Sequence, residues 1–72
     1  MTAILTSVSD GIGTVTLNRP DAMNTFNVEL ASGLSDALRT MEADTSVRVV
    51  IISGAGKNFS TGIDLKEYLS KE

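Results

Sequence analysis

The sequence contains no cysteine, no histidine and no tryptophan. Without cysteine there is no disulfide, no thiolate zinc site, no iron–sulfur cluster and no thiol nucleophile. Without histidine there is no Ser–His pair, and the side chain most often used as a general base is missing. Aromatic residues are limited to Phe26, Phe59 and Tyr68, too few to build a base-stacking surface. Positive charge is also scarce: 6 Lys and Arg stand against 9 Asp and Glu, for a net charge of −3 and a pI near 4.7. The bases (Arg19, Arg39, Arg48, Lys57, Lys66 and Lys71) are dispersed, which argues against a nucleic-acid surface. The longest apolar run is Val49-Val50-Ile51-Ile52, far short of a membrane span. No basic region followed by an apolar stretch marks a secretory signal, so a soluble, cytoplasmic protein is expected.

What is present is globular in composition, with 42% hydrophobic and 21% charged residues. A 72-residue chain makes at most one domain. A domain of this size buries only about 60% of its unfolded surface. It must be held by its apolar core, by a partner or by further sequence.

Ile4 to Ser9 is short and partly alternating. Asp10-Gly11 is a hairpin signal, because glycine tolerates positive φ. Ile12 to Asn18 then alternates, with Gly13, Val15 and Leu17 on one face and Ile12, Thr14 and Thr16 on the other. Pro20 ends the pattern and pushes Arg19 towards an extended shape, so Asn18 to Asp21 is a loop. Asn27 is placed to cap a helix, with Glu29 favourable in its first turn. Val28, Ala31, Leu34, Leu38 and Met41 recur at helical steps, with Leu30 and Ala37 widening the stripe, for an amphipathic helix of about four turns. Gly33 inside it costs about 1 kcal/mol relative to Ala, and marks either a close packing contact or a tolerated position. Val47 to Ser53 is β-branched apart from Arg48 and its terminal serine, as expected of a strand buried on both faces of a parallel sheet. A glycine turn and an irregular stretch, Phe59 to Ile63, follow. Asp64 is expected to cap a short helix through Lys71, with Leu65, Tyr68 and Leu69 on its apolar side.

Gly54-Ala55-Gly56-Lys57 invites a phosphate-loop reading that fails in detail. Ile51 and Asn58 occupy positions where that motif needs Gly and Ser or Thr. The dinucleotide fingerprint fails because Phe59 stands at its third glycine. Asn58-Phe59-Ser60 has the form of a glycosylation sequon, but no secretory signal accompanies it. The carboxylates of Asp64 and Glu67 are explained by helix capping and dipole complementarity without catalysis. Arg19 fits either an anion contact or a solvated loop. Ser60-Thr61-Gly62-Ile63-Asp64 leads into a helix start, where unpaired backbone N–H groups can stabilise a developing oxyanion.

Taken together, Thr14-Val15-Thr16-Leu17-Asn18-Arg19-Pro20-Asp21-Ala22-Met23-Asn24, the helix after it, and Val47 to Leu65 with VRVVIISGAGKNFS and GIDL resemble the N-terminal part of the enoyl-CoA hydratase/isomerase (crotonase) superfamily. The resemblance covers nearly the whole chain. It implies an α/β fold of ββα units wound into a spiral. Residues 1–72 would supply the first β-β-α unit and the start of the second, an incomplete part of a single crotonase-like domain. It further implies an acyl-CoA thioester substrate, no separate cofactor beyond the coenzyme A of that substrate, no metal, and assembly as a homotrimer or hexamer.

In the resembled family two backbone N–H groups polarise the thioester carbonyl, and the first falls here on Ile63. Ile63, Asp64, Leu65 and Lys66 would line the acyl-CoA site. The loop from Arg19 to Asn24, with Ala22 and Met23, resembles the wall along the CoA moiety, and Lys57 and Lys66 would meet CoA phosphates. Ile63 is bulkier than the residue common at its position, which leaves its N–H unaffected. The second donor and the proton-shuttling acids have no match among these residues, so the 72 residues alone are expected to be inactive. A different class of function is a non-catalytic fragment that acts only as an interaction or oligomerisation module, because an uncovered Val49–Ile52 strand invites association.

Overall fold

A computed structural model describes residues 2–64. The strand β1 (Ile4–Ser9) and the strand β2 (Ile12–Leu17) form an antiparallel hairpin, in register from Ile4 opposite Leu17 to Ser9 opposite Ile12. Asp10 and Gly11 both hold positive φ, 53° and 79°, as a type I′ turn requires. The helix α1 (Val28–Ala43) follows, and the strand β3 (Val49–Gly54) then pairs parallel to β2, from Ile12 opposite Val49 to Leu17 opposite Gly54. The sheet order is β1-β2-β3. The chain is therefore a hairpin, a crossover helix and a parallel strand, the α/β order expected of a first ββα unit and the opening of a second.

The Asn27 side chain caps α1, accepting a hydrogen bond from the Leu30 N–H at 2.8 Å. The helix packs on β1 and β2, and Leu30, Ala37 and Met41 are buried there with Ala3, Ile4, Val15 and Leu17. This face is rotated from the stripe read in the sequence: Leu30 and Ala37, taken as its margin, are its centre. Val28 and Leu38 are exposed. Two glycines decide the rotation. A Cβ on Gly13 would lie 2.6 Å from the Met41 sulfur, and one on Gly33 2.8 Å from Ile4 Cγ1. Gly33 is thus a packing position, where the helix backbone comes down onto β1.

β3 begins two residues later than the β-branched run suggests. The Val47 N–H donates to the Asp44 carbonyl at 3.0 Å, so Val47 closes the turn after α1 instead of entering the sheet. In that turn the N–H and the hydroxyl of Ser46 both donate to Asp44 Oδ1, at 2.9 and 2.7 Å. These bonds, the hydroxyl's foremost, hold the Asp44 carboxyl below the ordinary carboxylate range.

The burial expected of β3 is not found within residues 2–64. Val49, Val50, Ile51 and Ile52 all remain exposed, because α1 covers the β1–β2 side and no described element lies over the β3 side. Among the described residues, no helix is long and apolar enough to cross a membrane.

Candidate functional site

Two loops leave the same end of the parallel pair β2–β3 and are tied together there. The first leaves β2 at Asn18, whose N–H donates to the Ala3 carbonyl at 2.8 Å. Pro20–Ala22 forms a single 3-10 turn where the sequence reading placed only a loop. The fixed φ of proline favours such a start. Met23 and Asn24 then hold left-handed backbone, with φ of 56° and 54°. The second loop leaves β3 at Gly54 and is anchored by the Ala55 N–H, which donates to the Leu17 carbonyl at 2.8 Å.

Asn24 is the clamp between them, and the sequence reading did not single it out. It is fully buried. Its Oδ1 accepts from the Arg19 N–H at 2.7 Å, and its Nδ2 donates to the carbonyls of Ala55 at 2.9 Å and Asn58 at 2.7 Å. A buried amide is tolerated when its hydrogen-bonding capacity is met in this way. The second loop also folds tightly on itself: a Cβ on Gly54 would stand 2.5 Å from the Asn58 carbonyl oxygen and 2.6 Å from that of Phe59. Only glycine fits there. The one local signal for Asn24 was its residue type, since Asn enters left-handed backbone more readily than most. The partners of its Nδ2, 31 and 34 residues away, leave no mark in its own neighbourhood.

Beyond the clamp the loops meet again. Phe26 and Ile63 form a parallel bridge. The Phe26 N–H donates to the Gly62 carbonyl at 2.7 Å, and the Phe26 carbonyl accepts from the Asp64 N–H at 2.9 Å. In parallel pairing the central residue of one strand bonds to the two neighbours of its opposite number, whose own groups point away. The Ile63 N–H is therefore held in place while no described residue accepts from it. Ile63 as a whole is 64% exposed.

The remaining candidate residues divide. Arg19 turns its side chain inward: Nη1 donates to the Thr25 carbonyl and Nη2 pairs with Asp64 Oδ2 at 3.3 Å. Of the two alternatives read from the sequence, the solvated loop does not describe that arrangement, and the anion that Arg19 meets among the described residues is the Asp64 carboxylate. Arg19 and Asp64 are thus brought together across 45 residues and set beside Ile63. Met23 is exposed and Ala22 half-buried on the first loop, and Lys57 is exposed on the turn that Asn24 ties to it. Leu65, Lys66 and the expected helix from Asp64 to Lys71 lie outside the described residues, apart from Asp64 itself. A cleft of about 230 Å³ opens beside the first loop, between Ala3, Asn18 and the Arg19–Ala22 turn. Asp21 and Glu29 on its wall make it a poor receptor for phosphate, and Ile63 has no part in it.

Comparison with known proteins gives this geometry a setting. The profile of the family described as enoyl-CoA hydratase/isomerase matches residues 7–72. A 1,2-epoxyphenylacetyl-CoA isomerase of Escherichia coli is 40% identical over 67 residues, covering 93% of this chain and 26% of that protein. A hydroxycinnamoyl-CoA hydratase-lyase of Pseudomonas fluorescens is 41% identical over 61 residues, covering 85% and 22%. The crystal structure of a probable enoyl-CoA hydratase/isomerase from Mycobacterium abscessus superposes with a TM-score of 0.94 at 38% identity, covering all of this chain and 29% of that one. The chain spans about a quarter of the length of these relatives.

Proposed function

The chain belongs to the enoyl-CoA hydratase/isomerase family, and from that premise we propose that it is the N-terminal segment of an enzyme acting on acyl-CoA thioesters. The Ile63 N–H is one donor of its oxyanion hole. The observation that carries this reading is the Phe26–Ile63 bridge, which fixes a peptide unit whose N–H no described residue accepts from. A thioester carbonyl placed against that N–H is polarised, and charge that develops on its oxygen meets a donor already oriented for it. No histidine or cysteine is needed for such a contribution, because the group is backbone.

In this reading Asp64, Leu65 and Lys66 line the acyl-CoA site. Ala22, Met23 and Lys57 form the wall along the CoA moiety, with Arg19 shaping that wall from behind. The second donor and the acids that move protons come from sequence matching the rest of the family's length. The same sequence covers β3, and the whole assembles as a homotrimer or hexamer. Two of the relatives bear names of different reactions, an isomerase and a hydratase-lyase. Carbonyl polarisation serves both, so it does not choose between them.

Ile63→Pro in the complete protein removes the N–H and tests the reading. Turnover of an acyl-CoA substrate is expected to fall on the order of 10²–10³-fold, as for loss of one oxyanion donor, while CoA still binds. Retention of most of the activity would overturn the assignment.

A further inference from the structure

We propose that Arg19 and Asp64 act as a positioning pair that fixes the direction of the Ile63 N–H, an inference that rests on the role given to Ile63 above. The bridge is a single pair, not a ladder, and a lone pair of strand segments is weakly held. Just before it, Gly62 has φ of 111° with nothing within 4 Å of where its Cβ would be, and its N–H reaches only the nearby Ser60 Oγ at 3.2 Å. The two bridge hydrogen bonds set the orientation of the peptide unit, and a further contact that ties the two segments to each other keeps it.

The Arg19 guanidinium occupies the place from which that can be done. Its Nη1 bonds to the carbonyl of Thr25, the residue before Phe26. Its Nη2 pairs with the carboxylate of Asp64, the residue after Ile63. One planar group therefore spans both segments of the bridge, and the rigid fork of arginine suits two simultaneous contacts. Arg19 is itself anchored. Its N–H is held by Asn24 Oδ1 at 2.7 Å, and its carbonyl accepts from the N–H groups of Ala22 and Asn24 at 3.0 and 2.8 Å. The side chains at 21% and 20% exposure are largely withdrawn from solvent, which favours a fixed geometry over a mobile surface pair. A chain of contacts thus runs from the buried Asn24 through Arg19 to Asp64 and the adjoining Ile63. Neither Arg19 nor Asp64 touches the reacting carbonyl; they act through the direction of the amide.

The test uses the complete protein with a conjugated enoyl-CoA thioester bound at saturation. The position of its absorption band reports how strongly the bound carbonyl is polarised. Lower affinity or partial unfolding changes the band's amplitude instead. Arg19→Met and Asp64→Asn are each expected to move the band back towards its position in water and to lower kcat on the order of tenfold, since small misplacements at a reacting centre cost that much or more. KM is expected to stay within about twofold, because the same contacts are kept by the rest of the bound thioester. The milder Arg19→Lys keeps the charge but not the fork and is expected to fall between. The double variant is expected to be no worse than Arg19→Met, as for two residues that act as one unit. A band left in place by Arg19→Met and Arg19→Lys, or a double variant whose loss is the product of the single losses, would overturn the proposal. Ile63→Pro separates this outcome from failure of the underlying reading. If it moves the band and the Arg19 variants do not, only the positioning role falls; if it leaves the band in place, the role of Ile63 itself falls.

Discussion

Phe26 and Ile63 lie side by side in a parallel bridge in which Phe26 uses both of its backbone groups and Ile63 uses neither towards any described residue. The asymmetry comes from parallel pairing itself. It gives an exposed loop residue an N–H of fixed direction. The architecture around it holds the two segments together: β2 and β3 deliver two loops to one end of the sheet, and Asn24 binds those loops to each other.

Asn24 is therefore expected to matter more for stability than any other loop side chain. Asn24→Ala leaves one N–H and two carbonyls without their partner in a buried setting. It is expected to cost about 3 kcal/mol, within the range for orphaned buried polar groups. Asn24→Gly loses the same bonds but accepts φ of 54° without strain, and is expected to cost about 0.5–1 kcal/mol less. Urea denaturation of the two variants of the complete protein gives the comparison. Equal stability of Asn24→Ala and the unaltered protein would remove the clamp from the account.

Gly54 and Gly13 make a second paired comparison. An added methyl meets backbone oxygen atoms at Gly54, but at Gly13 it meets the end of the Met41 side chain, which can turn aside. Gly54→Ala is expected to cost about 1–3 kcal/mol by displacing the loop, and Gly13→Ala less. Hydrogen exchange of the Ala55 amide, bonded to the Leu17 carbonyl, is expected to speed up in Gly54→Ala alone. The reverse order of stabilities would contradict the packing described here.

A third expectation concerns pH. The Asp44 carboxyl titrates below its ordinary value because Ser46 donates to its charged form. A carboxyl with a depressed folded-state pKa stabilises the fold above its unfolded pKa, and that contribution is lost as pH falls through the folded value. Ser46→Ala removes the hydroxyl bond, the largest cause, and should raise the Asp44 titration midpoint towards the ordinary carboxylate value. Its destabilisation should be present at neutral pH and should shrink in acid. Carbon-13 NMR titration of the Asp44 carboxyl reads the midpoint; an unchanged midpoint in Ser46→Ala would contradict the assignment.

The hairpin, helix and parallel strand were legible because each is written locally. Asp10-Gly11, the alternation after it, the Asn27 cap and the β-branched run each point to one structure within a few residues. The buried face of α1 was less legible, since the pattern Val28, Ala31, Leu34, Leu38 and Met41 does not say which glycine lets the helix approach. Gly13 and Gly33 settle that, and they do so through contacts with Met41 and Ile4 that no periodicity contains. At the candidate site, Ile63 follows from resemblance to a family, and the Phe26 bridge supplies a physical reason why no described residue accepts from its N–H. The Asn24 clamp and the Arg19–Asp64 pair were not legible, because the contacts that join the two loops span 31 to 45 residues.

The most direct measurement removes the Ile63 N–H and keeps its side chain. An ester in place of the amide at Ile63, introduced by semisynthesis of the complete protein, replaces that N–H by oxygen and keeps the side chain and the Asp64 N–H bond to Phe26, while the Gly62 carbonyl accepts from Phe26 more weakly. Infrared difference spectroscopy of a bound thioester carrying carbon-13 at its carbonyl then reads the strength of the carbonyl bond. The unaltered protein should lower the stretching frequency relative to water, and the ester variant should lose a large part of that lowering while still binding the ligand. The same frequency in both proteins would contradict the assignment of the Ile63 N–H as a donor to the thioester.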